Sequence, residues 1–382
     1  MSQHKLKAYW RLLAGCVLGA CATGLAAPAI ARQACVEAPT SALVINVKDK
    51  GAKGDGETDD TAAIQAAIDE VGGTGGTVLV PKGTYTVDAV GKKRLTLKGD
   101  MTLKLSDDAT LKAIPNDSKK YSVLSISGVS HVTITGGTLE GERDQHKGEK
   151  GEWGMGIHID DDASHIVING VTARKMWGDG FYVQGASDVK FCFVIADGNR
   201  RQGLSIISAD RLIVLNSIFK NTQGTRPSAV IDFEPDDADQ KVTDVRIERS
   251  QFLDNAGPGI LIAGKRGAVA KVELTGNVFK GNRPIVVKNA PEVLSTDICN
   301  NRQIASESAP SQGLNAFTEP MDLVMHQNDC REGQDFRFEV KKNTAKKNKD
   351  VEAVETARPY SGETAVIGGG SQSSRFAECR RE

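Results

Sequence analysis

Three carboxylates stand out by type and spacing: Asp179 between two glycines in Gly178-Asp179-Gly180, and Asp232 and Glu234 in Ile231-Asp232-Phe233-Glu234-Pro235. Residues two apart on a strand share one face, with Cα atoms about 6.5–7 Å apart. Carboxyl groups at such a separation suit an acid and a base on opposite sides of a glycosidic bond in an inverting hydrolase. Like charges so close also push one group towards its protonated form, the state a general acid needs. Arg200 and Arg201, followed by Gln202, supply guanidinium groups that clamp a carboxylate or sulfate by paired hydrogen bonds. An acidic or decorated polysaccharide is therefore the expected substrate. A second chemistry uses the same residues. In a uronate lyase or C5-epimerase an arginine neutralises the sugar carboxylate, His158 or Tyr182 takes the C5 proton, and acidic groups hold calcium. The hydrolase requires no cofactor or metal. Gln202 and Trp153 complete the expected substrate contacts, the indole by stacking on a sugar face. Taken singly, an outward Asp, Ser or Tyr is more often a solvated side chain, Asp179 a turn residue and His158 a structural ring.

The elements that position these residues repeat. Strand-like runs begin at His131, His165, Asp188, Arg211, Asp244 and Lys271, and a second series runs through Ile157-His158-Ile159, Phe181-Tyr182-Val183, Leu204-Ser205-Ile206, Ile231-Asp232-Phe233 and Ile260-Leu261-Ile262. The steps from His165 to Asp188 and from Asp188 to Arg211 are 23 residues each, a solenoid period. Alternation puts the flanking apolar residues of each triplet inside and the middle residue outside. Stacking then predicts an outward column of His158, Tyr182, Ser205, Asp232 and Leu261, with Asp160, Gln184, Ile207 and Glu234 in a neighbouring one. A one-residue slip reverses every such assignment. Departures from the period locate loops. His131 to Ile157 spans 26 residues where regular equivalents span 16, which places ten extra residues in a polar stretch from Gly141 to Gly154 that carries Trp153. Further insertions on the coil of Asp232 crowd the same column, turning a flat wall into a cleft.

The chain ahead of this region reads as strand, turn and helix. Val44-Ile45-Asn46-Val47 is a strand, Ile64, Ala67, Ile68 and Val71 fall at helical spacing, Asp59 or Asp60 caps that helix, and Gly72-Gly73 ends it. Gly54-Asp55-Gly56, Thr58-Asp59-Asp60-Thr61, Ile64-Gln65-Ala66-Ala67 and Val80-Pro81-Lys82-Gly83-Thr84-Tyr85 together resemble the opening segment of the pectate-lyase-like superfamily, rhamnogalacturonase and epimerase type. The resemblance implies an all-β fold, a single-stranded right-handed parallel β-helix with an N-terminal capping helix, acting on polysaccharides. Gly178-Asp179-Gly180 and Gln202-Gly203-Leu204-Ser205 are also similar to polygalacturonase coils. That family's paired-aspartate strand, histidine-glycine and arginine-x-lysine signatures are missing, so its mechanism does not transfer residue by residue. Asp55, Asp59 and Asp60 read as turn and capping residues rather than a metal loop.

Composition bounds the partners. With 48 basic and 49 acidic residues in 382, no global field draws the chain to nucleic acid or an anionic membrane. Lys5, Lys7 and Arg11 precede an apolar run ending at Ala29-Ile30-Ala31, the pattern of a secretory signal over residues 1–31. The protein is thus expected to be secreted or periplasmic, with lipid anchoring at Cys21 of Leu18-Gly19-Ala20-Cys21 as the alternative. Residues 32–290 form the expected β-helix domain and 291–382 a loosely structured extension covering the last coil. After signal cleavage five cysteines remain; Cys192 reads as a packed or free thiol, and Cys35, Cys299, Cys330 and Cys379 allow two disulfides in an oxidising compartment. The expected function is an exported glycoside hydrolase. The alternatives are a lyase or C5-epimerase on a uronate polymer, and a non-catalytic glycan-binding β-helix.

Overall fold

The apolar triplets of the sequence become the inner rungs of a right-handed parallel β-helix. A computed structural model describes residues 35, 38–263, 266–283, 285–288, 292–299, 301–304, 321–323 and 336–340. The expected signal segment and Cys21 lie outside the described residues. Ile157, Phe181, Leu204, Ile231 and Ile260 are fully buried, as are Ile159, Val183, Ile206, Phe233 and Ile262. Each triplet therefore closes the core with its flanks and turns its middle residue to the outer wall.

Three parallel ladders run the length of the solenoid. One holds the wall: Trp153–Asp160, Asp179–Cys192, Gln202–Leu215, Ile231–Phe233 and Ile260–Ala263. The two 14-residue strands Asp179–Cys192 and Gln202–Leu215 bend from this ladder into the second, which continues through Lys241–Glu248 and Ala268–Thr275. Short strands such as Ile195–Asp197, Ile218–Lys220 and Gln251–Leu253 form the third. Inside, Phe219, Phe252 and Phe279 stack at centroid separations of 5.6 and 4.6 Å.

The six residues at which the sequence runs begin mark one corner. His131, His165, Asp188, Arg211, Asp244 and Lys271 all have φ between 52° and 57°. Non-glycine residues enter this left-handed region only where neighbouring structure imposes the bend. Here the turn between two ladders imposes it at successive coils.

The helix Thr61–Val71 buries Ile64, Ala67, Ile68 and Val71 in the same core cluster as the first strands. Asp59, just ahead of the N-cap residue Asp60, accepts from the Thr61 amide through Oδ1 at 3.0 Å. Asp60 instead closes the preceding turn, accepting from the Lys53 and Gly54 amides at 2.6 and 3.0 Å. Asp55 accepts from the Glu57 and Thr58 amides. Capping and turn closure thus account for all three aspartates.

At the other end the parallel ladders continue past Asn289 through Glu292–Cys299 and Arg302–Ile304, although the apolar rhythm of the sequence fades there. Met321–Leu323 and Phe336–Val340 then add antiparallel to the last two wall and corner strands. Covering an open parallel edge in this way protects it from pairing with another chain. Cys192 is disulfide-bonded, which corrects the expectation of a packed or free thiol; Cys35 is disulfide-bonded as well. Burial alone does not distinguish a thiol from half of a bridge, and Cys192 is fully buried.

Candidate active site

Glycines at the second position of the two longest wall strands aim the polar residues. A Cβ on Gly180 would lie 2.7 Å from the Gly203 carbonyl oxygen, and one on Gly203 would lie 2.8 Å from that of Val230. Side chains cannot pass there, so the coils approach closely at a sharp corner. The residue ahead of each glycine, Asp179 or Gln202, is thereby turned to the outer wall, and the two sit side by side in register.

The register puts Ser125, His158, Tyr182, Ser205, Asp232, Leu261 and Val286 in one column, as the periodicity predicts for its five central members. The neighbouring column departs from expectation. A register shift after Val183 pairs Gln184 with Ser208, so Ser208 takes the place expected of Ile207, which bulges out of the ladder.

One guanidinium organises the centre. Arg201 Nη1 donates to Asp179 Oδ2 at 3.1 Å, and Nη2 donates to Glu234 Oε2 at 3.0 Å. Ser205 Oγ donates to Asp179 Oδ2 at 2.9 Å, and Gln202 joins the network through Asp232, Arg201 and Ser205. Glu152, from the inserted loop, approaches Arg201 Nε at 3.8 Å. Asp179, Gln202, Ser205 and Asp232 are completely buried, whereas the Glu234 side chain keeps a quarter of its surface open. At this centre the buried carboxylate oxygens Asp179 Oδ1 and Asp232 Oδ1 have no hydrogen-bond partner.

Burial of both Asp179 and Asp232 beside a single cation works against their both being ionised. Burial pushes Asp179 up to about 6, although Arg201 and Ser205 pull the other way. Asp232 is driven well above the ordinary carboxylate range by burial and then by the neighbouring Glu234 charge. Burial weakens the Arg201 charge, but Asp179 and Glu234 outweigh it and hold the guanidinium protonated. The arrangement thus sets a carboxyl group whose burial favours its protonated form two residues from one that pairs with Arg201 and is partly open to solvent.

The other expected site residues divide between the wall and the scaffold. His158 and Tyr182 meet edge to face at 5.0 Å, and the Tyr182 hydroxyl donates to Gln184 at 3.1 Å. Burial lowers the His158 pKa against the pull of Asp160, whose carboxylate lies 3.4 Å away without the alignment of a hydrogen bond. Arg201 serves as an internal counterion rather than an open clamp. Arg200 points elsewhere: its Nη1 donates to the carbonyls of Gly151 and Trp177 at 3.0 and 3.1 Å, and the guanidinium lies 3.6 Å from the Trp177 ring. It anchors the inserted loop. Trp153 is exposed at the rim.

Glu152 and Ser205 are functional candidates that residue type alone did not single out. Glu152 adjoins Trp153 at the end of the insertion, and Ser205 falls in the outward column, so position was their signal. The loop also hides a second buried pair. His146 Nδ1 lies 2.9 Å from Glu142, four residues earlier, and its ring stacks on Trp177 at 3.9 Å. Burial raises the Glu142 pKa, with His146 opposing it.

Comparison with known proteins places this architecture. The family described as rhamnogalacturonase A/epimerase, pectate lyase-like, matches residues 44–225. That match covers 182 of the 382 residues, and the solenoid is similar to the β-helix proteins of that family. The uncharacterized protein YclG of Bacillus subtilis is 29% identical over 300 residues, 66% of this chain and 51% of that one. Mannuronan C5-epimerase AlgE4 of Azotobacter vinelandii is 36% identical over 153 residues, 36% of this chain and 27% of that one. The chain thus spans about half or less of the length of these relatives. Among solved structures, the surface adhesin PfbA of Streptococcus pneumoniae matches with a TM-score of 0.54 and 17% identity, covering 71% of this chain and 82% of that one. At that identity the likeness concerns the fold.

Proposed function

We propose that this pectate-lyase-like chain is an exported glycoside hydrolase acting on an acidic or decorated polysaccharide. The observation that carries the reading is the convergence of Asp179, Asp232 and Glu234 on the single cation Arg201. In this reading Asp232 keeps its proton and delivers it to the glycosidic oxygen. Glu234, paired with Arg201 and partly open to solvent, accepts a proton from the attacking water. Asp179 and Ser205 hold Arg201 and Gln202 in place. The disulfide-bonded state of Cys35 and Cys192 supports an oxidising compartment.

A second reading, C5-epimerisation or β-elimination on a uronate polymer, is favoured by the named activity of the mannuronan C5-epimerases and by the His158–Tyr182 contact. A panel of glycans with product analysis tests both. Hydrolysis releases reducing ends without an unsaturated product absorbing in the ultraviolet, and Asp232→Asn and Glu234→Gln each abolish that release. Full activity in both variants, or an ultraviolet-absorbing product, overturns the hydrolase reading.

A further inference from the structure

Four large apolar side chains are exposed among the described residues: Leu43, Val44, Ile304 and Trp153. Val44 lies in the first strand of the solenoid with Leu43 ahead of it, and Ile304 ends the last strand of the third ladder. Trp153 stands in the middle, 44% exposed. An indole left open there is held out by its backbone. Gly154 wedges against its surroundings, since a Cβ on it would lie 2.5 Å from the Tyr121 ring and 2.8 Å from Trp177 Cβ. The Trp153 amide donates to the Lys119 carbonyl at 3.3 Å, and Arg200 grips the Gly151 carbonyl. Behind the loop the His146 ring and the Arg200 guanidinium both pack on Trp177. A platform fixed in this way gives up little freedom when a ligand settles on it.

Two neighbours give the platform a chemical preference. Lys120 is paired directly with Trp153 in the parallel ladder, one coil or about 4.8 Å away. It is exposed and has no ion-pair partner among the described residues. On the other side the next residue, Glu152, reaches towards Arg201 at the centre of the site. A ligand on the indole therefore meets a free ammonium on one side and the carboxylate cluster on the other.

We propose that Trp153 and Lys120 form a rim subsite for an acidic sugar ring, whose apolar face stacks on the indole while its carboxylate or sulfate pairs with the ammonium. This rests on the carbohydrate-active reading of the neighbouring carboxylates. It assigns a binding role to Lys120 and places the acidic ring beside the reacting one. Isothermal titration of the full-length protein tests it, with hexamers of galacturonate, mannuronate, a sulfated galactan and neutral xylose as probes. Trp153→Ala weakens every hexamer the wild type binds by about tenfold, an exposed aromatic stacking loss. Lys120→Gln weakens only acidic hexamers, by roughly threefold to fivefold, and the effect fades at high salt. The uronate and sulfate arms show which anion is taken. Unchanged binding by both variants, an equal loss for neutral xylohexaose in Lys120→Gln, or no hexamer bound by the wild type overturns the proposal. If the variants behave as expected but no bond is cleaved, the subsite stands and the hydrolase reading falls. If bonds are cleaved and affinities are unmoved, the reverse holds.

Discussion

Two columns of charged side chains climb this solenoid, and they have opposite characters. At the left-handed corner Asp100, His131, His165, Asp188, Arg211, Asp244 and Lys271 stack in the open. Arg211 donates to both Asp188 oxygens at 2.7 and 2.9 Å, and this hydrogen bonding lowers the Asp188 pKa. At the floor of the wall Asp179 also pairs with an arginine, at 3.1 Å, yet its pKa rises. The partners are alike and water makes the difference. Where solvent screens the pair, an ion pair settles both charges; where it is excluded, one cation cannot satisfy the surrounding carboxylates. Density of charge does not mark the site, but an unbalanced, dehydrated set does.

The comparison breaks most visibly at the two arginines. Arg201→Ala leaves Asp179 and Glu234 facing each other without a counterion, and we expect a loss of about 3–5 kcal/mol in unfolding free energy at neutral pH. Activity falls with it, measured as reducing-end release. A loss under about 1 kcal/mol places Arg201 with the solvated pairs of the corner instead.

pH sharpens the same contrast. Asp179 rises from 3.8 to about 6 on folding, so the native state binds the extra proton between those values. Its stabilising contribution is complete below about pH 4 and is lost as pH climbs through about 6. Chemical denaturation across that window therefore shows wild-type stability falling by roughly 2–3 kcal/mol relative to Asp179→Asn. A parallel pH profile for the two proteins contradicts the buried assignment. Asp188, with its lowered pKa, has the opposite sign: its contribution is present above its unfolded pKa and is lost as acid titrates the folded group.

Much of this is legible in the amino-acid sequence. The recurring apolar triplets mark the column from His158 to Leu261, and the structure gathers Asp179, Asp232 and Glu234 around Arg201. Other features escaped for identifiable reasons. Alternation cannot register a bulge, so Ile207 was placed where Ser208 stands. Residue type made Arg200 and Arg201 look equivalent, but the carbonyls of Gly151 and Trp177 claim one and carboxylates the other. The packing of His146 on Trp177 joins residues from separate coils, and no local pattern announces it.

The smallest expected effect lies at the corner itself. Arg211→Ala removes the bidentate contact to the half-buried Asp188 from a solvent-exposed guanidinium, and melting temperature and activity should match wild type within error. A marked fall in either one contradicts the claim that this ladder is a solvated surface.

The central claim is that the buried floor of the wall holds a proton at neutral pH. Infrared difference spectroscopy of wild type against Asp232→Asn reads it directly, through the carbonyl stretch of a protonated carboxylic acid. That band is expected in the wild type at pH 7 and is lost in the variant. A wild-type spectrum showing only ionised carboxylate bands would contradict it.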